Sequence, residues 1–331
     1  MAFDNLKLEK GLYTTGKSFT QALESIDPSE NYIGTEYEGL DAYQRQLKRF
    51  DIKVSGTGSD TVSKFFATTD SAALFPEYVS RAVRQGIQEK SILDKIIATT
   101  TNVDSMDYRA ITTATDKSEL ELANVAEGAK IPETIIKTKD SLTKLHKRGR
   151  MLVASYEAIK FQKLDLFTIT LKQIGSYIAN CQANDAIQAL MDFDVEGYEV
   201  TDGTITYDDL INFWSMFDPY KLTTMVGNAA SVGNLLKLPE LRDSAAGLNF
   251  HGTGNMITPM GAEVVTLNSL PMANGFIGID NTCALEKVQV GDVATDFDKL
   301  LDRQLERATI TTIAGFSRIF DGAIKAIGVA E

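Results

Sequence analysis

The sequence predicts an α+β protein built from two packed subdomains that carry extensions, and three observations lead there. Phe167, Leu171, Ile174, Ile178 and Cys181 step by four and three residues, the apolar stripe of one long helix. Before it, residues 103 to 163 are rich in β-branched side chains with partial alternation, which reads as a long two-stranded excursion. After it, residues 205 to 283 alternate short helical and strand-like runs, an α/β unit.

The totals agree with that division. A chain of 331 residues exceeds the roughly 100 to 200 residues that one core usually serves. Hydrophobic content of 44% and aromatic content of 8% mark it as folded. The start, MAFDNLKLEKG, lacks the apolar centre of a signal peptide, and no run approaches the ~18 apolar residues of a membrane span. A protein kept in a cytoplasm, away from membranes, is the expectation. Cys181 and Cys283 have no second Cys or His nearby and are expected to be buried apolar residues.

Net charge is −12, which argues against a broad grip on nucleic acid, since phosphate contact needs clustered cations. Contact with DNA should be loose. The charge is also uneven. Residues 130 to 163 hold nine bases (Lys130, Lys137, Lys139, Lys144, Lys147, Arg148, Arg150, Lys160, Lys163) against Glu133, Asp140 and Glu157. Residues 192 to 218 hold eight acids and no base. Two such segments on copies of one chain would attract each other.

Taken in order, residues 1 to 65 look like an extension, with short helices over Ser18–Ser25 and Asp41–Phe50 separated by Gly and Ser. Neither helix could bury much alone, so this segment predicts a supporting surface, most economically another copy. Pro76 then opens a helix carrying Tyr78, Val79, Ala82 and Val83, which Gly86 interrupts; Ser91 and Asp94 form a capping-box pattern that restarts it through Leu93, Ile96 and Ile97. Thr99 to Thr101 signal a change to strand.

The excursion follows. A hairpin so long is marginal in water and needs support from outside itself. The striped helix runs from Asp165, a potential cap, to Leu190 or Met191, about 40 Å at 1.5 Å per residue. Thr206 and Asp209 predict a capped helix that buries Leu210, Phe213, Trp214 and Phe217, and a helix over Val232–Leu238 should stop at Pro239. Strands are expected at Leu222–Val226, GAEVVTLNSL and GFIGID. DFDKLLDRQ reads as a turn or short helix. In the closing strand RATITTIAGFSRIF, residues Ala308, Ile310, Ala314, Phe316 and Phe320 share one phase; it should end a sheet begun before residue 200, with the 205–283 unit as an insertion.

Chemistry is sparse. His146 and His251 stand 105 residues apart and support neither a triad nor a zinc site. No G-x-x-x-x-G-K-[ST] occurs, Gly252 to Gly254 reads as a loop, and Asp292 to Asp298 lacks calcium-loop spacing. No nucleophile, base and metal cluster can be assembled, so an enzyme is not expected, and no catalytic, metal or cofactor-binding residue and no cofactor is assigned.

The order of parts resembles the major capsid protein of tailed phages, the Hong Kong 97-like capsid fold shared with encapsulins. The residues that carry the resemblance are TTDSAALFPEYVSRAV, AEGAKIP at the tip of the excursion, the basic return strand followed by SYEAIKFQKLDLFTITL, the long helix, and LERATITTIAGFSRIF. The resemblance implies an N-terminal arm (1–70), the start of a peripheral domain (71–104), an extension loop (105–150), peripheral-domain residues with the spine helix (151–199, helix 165–191), an axial domain (200–284) and closing peripheral strands (285–331). It implies hexamers and pentamers in an icosahedral shell around packaged double-stranded DNA, in a virion assembled in a bacterial cytoplasm, with a portal and room for a decoration protein. Residues 1 to 65 are too short and weakly helical for a fused scaffold, so a separate scaffolding protein is expected. The alternative is an encapsulin-like compartment enclosing a cargo enzyme. Some phage shells link a loop lysine to a neighbour's Asn; Lys130, Lys137 and Lys139 lie where such a lysine would sit, though solvated or acid-paired lysines are the plainer reading. The inter-subunit contact is expected from the loop bases Lys130, Lys137, Lys139, Lys144, Lys147, Arg148 and Arg150, against an acidic surface for which residues 192–218 are one candidate.

Overall fold

The fold comes from a computed structural model, described for residues 2–14, 18–112, 124, 125, 127, 131, 137–155, 161–191, 195–200, 203–242, 256–270, 272, 274–300 and 305–329. The chain divides into two compact units, one of Met1–Lys90, Lys147–Ala179 and Asp292–Thr312, the other of Ser91–His146, Asn180–Gly291 and Ile313–Glu331.

The first unit opens with helices α1 (Phe19–Ile26) and α2 (Ala42–Arg49), each started by a capping box, from Ser18 with Gln21 and from Asp41 with Gln44. After the short α3 (Thr69–Ala72) comes α4 (Phe75–Lys90). The long helix α5 (Leu164–Met191) supplies this unit up to Ala179. The arm is not waiting for another copy, as the sequence suggested. Leu8, Phe19, Leu23, Tyr43, Leu47 and Ile52 merge into one core with Leu74, Tyr78, Val79, Val83, Leu171, Ile174 and Ile178. Each fully buried side chain of this size contributes about 1.5–3 kcal/mol, so many weak helices gain what none has alone.

A buried charge pins the arm. Arg45 is fully buried, and its Nε donates to Asp27 Oδ2 at 3.0 Å. Its other nitrogens donate to Ser29 Oγ at 2.8 Å, Leu40 O at 2.7 Å and Asp27 O at 2.6 Å. Tyr32 lies under the guanidinium, 4.3 Å from its ring centroid, and gives its hydroxyl proton to Asp27 Oδ1. A charge taken out of water is tolerated when it is paired and hydrogen-bonded in this way.

Gly86 does not interrupt α4. A Cβ there would lie 2.2 Å from Lys172 O, and one at Gly175 would lie 2.1 Å from Val83 O. The two helices cross backbone to backbone, and glycine is what the crossing requires. Ser91 and Asp94 do not restart a helix either: Ser91 Oγ accepts from Leu93 N and only a 3-10 turn, Leu93–Lys95, forms before the chain becomes extended.

The strands, in order, are β1 (Thr99–Asn102), β2 (Ile111–Thr112), β3 (Lys137–Thr138), β4 (His146–Ser155), β5 (Gly197–Val200), β6 (Thr224–Gly227), β7 (Glu263–Thr266), β8 (Gly275–Ile279), β9 (Leu285–Gln289), β10 (Ala294–Leu300), β11 (Leu305–Arg318) and β12 (Ile324–Val329). One sheet runs β1-β9-β11-β10, with β4 also paired to β11. DFDKL is thus strand, not turn or helix: β10 pairs antiparallel with β11 from Ala294↔Thr311 to Leu300↔Leu305. Strand β11 does belong with strands formed before residue 200, but it sits inside the sheet rather than ending it.

The second unit is built on a mixed sheet ordered β5-β12-β8-β6-β7. Helices α6 (Tyr207–Ser215), α7 (Ala229–Leu235) and α8 (Pro239–Arg242) accompany it. The Thr206–Asp209 capping box forms as read, and Leu210, Phe213 and Phe217 are buried, whereas Trp214 is 46% exposed. Pro239 starts a short helix instead of ending one, consistent with its fixed φ and missing N–H. Residues 205–283 are not a closed insertion, because β12 pairs with β5 on one side and β8 on the other. Cys181 and Cys283 are half-buried rather than buried.

Gly175→Ala is expected to cost about 2–3 kcal/mol through overpacking, while Gly233→Ala, where a Cβ meets nothing within 4 Å, should gain up to about 1 kcal/mol of helix propensity. Urea unfolding of the two variants would reveal equal effects if the crossing were loose. Arg45→Ala should cost about 3–5 kcal/mol by stranding Asp27 and make residues 18–50 the first site of proteolysis; an unchanged cleavage pattern would contradict that role.

Candidate functional site: the basic return strand and its seat

The bases singled out by the sequence fall in a segment that the fold holds down along much of its length. Lys130 lies outside the described residues, as do His251 and most of the AEGAKIP tip. Lys137 is exposed in β3, whose ladder joins Ile111 to Thr138 and Thr112 to Lys137. Beyond it, Lys139 N donates to Ala110 O at 2.8 Å and Thr143 N to Tyr108 O at 2.9 Å. These bonds join the two limbs of the excursion to each other, and support from outside the excursion comes where β4 pairs with β11.

Lys139 is half-buried and its Nζ donates to Arg318 O at 2.6 Å. Its proton affinity is lowered, chiefly by burial; Asp321 opposes that, Arg318 adds to it, and Glu286 opposes it. Lys144 is exposed, and its carbonyl presses on Gly315, where a Cβ would lie 2.3 Å away. His146 is half exposed with Nδ1 3.4 Å from Asp185 Oδ2. These residues line a concavity of about 360 Å³.

Two charged residues at this seat were missed in the sequence. Arg318, 4% exposed, donates from Nη1 to Leu190 O at 3.2 Å and lies 3.1 Å from Asp321 Oδ1. Glu286, 6% exposed, accepts from Tyr108 at 2.7 Å and from Thr101 Oγ1. Burial, then Glu286, raises the Tyr108 pKa. A signal for Arg318 existed: it continues the even-numbered, apolar phase of Ala308, Ile310, Ala314 and Phe316. Glu286 carried none, because its partners come from distant sequence.

In the first unit, β4 continues from Lys147 along β11, so closely that a Cβ on Gly149 would lie 2.6 Å from Ile310 O. Leu152 packs against the core, and Arg148 is half-buried. Lys147, Arg150, Met151 and Val153 face solvent, the last two 52% and 54% exposed. A strand anchored by one edge thus presents a mixed basic and apolar surface. The acidic segment is partly spent within its own unit: Glu196 pairs with buried Lys325, and Asp209 accepts from Thr206 N at 2.8 Å and Tyr198 at 3.0 Å.

Among the described residues, no group of three or more His, Cys, Asp and Glu could hold a metal ion. No helix among them is long and apolar enough to cross a membrane. No family model and no curated protein sequence matches the chain. Solved structures do match. The capsid of a native GTA particle shares 16% identity over 72% of this chain and 91% of that one, with a TM-score of 0.56. A virus-like particle from Pyrococcus furiosus shares 15% identity over 76% of this chain and 98% of that one, at 0.51. A structure of Microbacterium phage Oxtober96 shares 10% over 73% and 91%, at 0.52. The chain has the Hong Kong 97-type capsid fold. Within this capsid fold the long helix α5 and the sheet containing β11 provide the frame on which the basic strand is mounted.

Because the folded-state pKa of Lys139 lies below its ordinary 10.5, the unfolded chain binds more protons between the two values. Stability from this group therefore rises with pH across that alkaline window. Lys139→Met should abolish the rise. Unfolding at pH 7 and at alkaline pH is expected to show the native chain gaining on the variant as pH increases; a difference that stays constant would refute the assignment.

Proposed function

We propose that this chain is the major capsid protein of a tailed bacteriophage, a subunit that assembles into hexamers and pentamers of an icosahedral shell enclosing double-stranded DNA. The observation that carries the reading is the capsid fold itself, shared with assemblies that include a GTA particle capsid and a phage. In this reading residues 1–70 are an N-terminal arm, 105–150 the extension loop, 200–284 an axial domain, and 71–104, 151–199 and 285–331 the peripheral domain. A separate scaffolding protein and a portal take part in assembly, and decoration proteins bind from outside. The net charge of −12 keeps contact with the genome loose.

Physically, the contact between copies comes from the extension loop. Its two limbs are joined where Lys139 N meets Ala110 O and Thr143 N meets Tyr108 O, and its return strand runs into β4 on β11, so less ordering entropy is lost there when it docks. Lys137, Lys144, Lys147 and Arg150 remain exposed for acidic surface on a neighbour; Arg148 is half-buried beside them, Lys139 is bonded to Arg318 O, and Lys130 belongs to the same loop.

Electron microscopy of the purified protein, expressed with and without a candidate scaffold, is expected to show closed shells; dispersed monomers in both cases would sink the capsid reading. Shells that form without scaffold and hold a protein instead of DNA would mark a cargo compartment. Charge reversal of Lys144, Lys147 and Arg148 to Glu should leave subunits soluble and lower shell yield about tenfold. Normal particles from that variant would remove the loop from the contact.

A further inference from the structure

The first unit contains a groove of about 960 Å³ between the start of the chain, α3 and β10. Its floor is apolar, with Leu8 buried and Phe66 packed on the core. Tyr13 lines it too, its hydroxyl already committed to Ala73 O at 2.7 Å. Its charge is one-sided: Glu9, Asp70, Asp296 and Asp298 against Lys7. Some of that charge is answered internally. Lys7 lies 2.6 Å from Glu9, and Arg307 lies 2.5 Å from Asp298. Asp296 is exposed and Asp70 half-buried. The wall carrying Asp296 and Asp298 is β10, the last strand in its sheet order; among the described residues no strand pairs with its outer edge. An open edge of backbone donors and acceptors beside an apolar floor is suited to an extended segment.

The same chain carries a segment of matching chemistry. The return strand carries bases from Lys144 to Arg150 followed by apolar residues, and leaves Lys144, Lys147, Arg150, Met151 and Val153 exposed. In segments of the same chain, an acid-rimmed apolar groove and a base-rimmed apolar strand satisfy each other only between copies if the strand is held elsewhere in its own subunit, as its pairing with β11 requires.

We propose that this groove, and not the 192–218 segment, is the surface on which a second copy seats its basic extension loop. The inference rests on the loop being the inter-subunit contact. Acids at the rim select the loop by charge, the apolar floor receives Met151 and Val153, which directly follow the loop in β4, and the β10 edge fixes register.

The test is a charge swap in the full-length protein, read as the fraction sedimenting as shells, with melting temperature as a check on folding. Asp70→Lys with Asp296→Lys should lower shell yield about tenfold, because like charges would then face each other. Adding Lys144→Glu, Lys147→Glu and Arg148→Glu to the same chain should restore yield to within about threefold of the native level, since opposite charges again meet. Should the lysine variant melt early, Asp70→Asn with Asp296→Asn asks the same question with milder changes and should lose yield more weakly in the same direction. Normal assembly of the groove variants, or no rescue by the swap, overturns the groove. If the loop triple variant alone assembles normally, the contact reading itself falls, so the two failures are distinguishable.

Discussion

The structure depends on how closely α4 and α5 approach. Gly86 and Gly175 remove the Cβ atoms that would otherwise meet carbonyl oxygens at 2.1 to 2.2 Å. Glycine inside a helix costs about 1 kcal/mol in propensity, and the crossing offsets it with dense packing of Val79, Val83, Leu171, Ile174 and Ile178. The arm then lies on that platform. Helix α5 runs on beyond Ala179, where Ala183, Ala186, Ile187 and Leu190 join the core of the second unit. Its apolar residues serve two cores in turn.

Charge is handled in two ways. Where it is buried, as at Arg45 with Asp27 or at Glu286 with Tyr108, hydrogen bonds saturate it and the groups act as pins. Where it is exposed, as along β4, ion pairs within the chain contribute little at the surface, and the charge stays available to steer a partner. The two populations are kept apart: the first holds the shape of the fold, and the second stays at its surface.

Much of this was legible because it is local. The short helices after Ser18 and Asp41, the capping box at Thr206, the stripe of α5 and the phase of β11 are each written within a few residues, and each forms. What was misread depends on distant partners. Gly86 looks like a break until Lys172 lies against it. The acids of DFDKL suggest a turn until β11 pairs alongside. Trp214 occupies an amphipathic helix yet points outward, and the arm's weak helices conceal a shared core. At the candidate site the bases were visible in composition, but Arg318 and Glu286, which seat them, were not, since burial of a charge is decided by the groups that surround it.

The position of β12 has a consequence for timing. It lies between β5 and β8 in its sheet, and among the described residues it is the sole neighbour of β5, which precedes it by more than a hundred residues. Until residue 329 has emerged from the ribosome, β5 lacks its ladder and one edge of β8 is bare. A nascent chain can thus complete its first helices early but cannot close this sheet until synthesis has passed β12. Since such non-local pairing is slow to form, completion of this sheet is tied to the end of synthesis, and a chain released before β12 would carry unpaired strand edges on both β5 and β8.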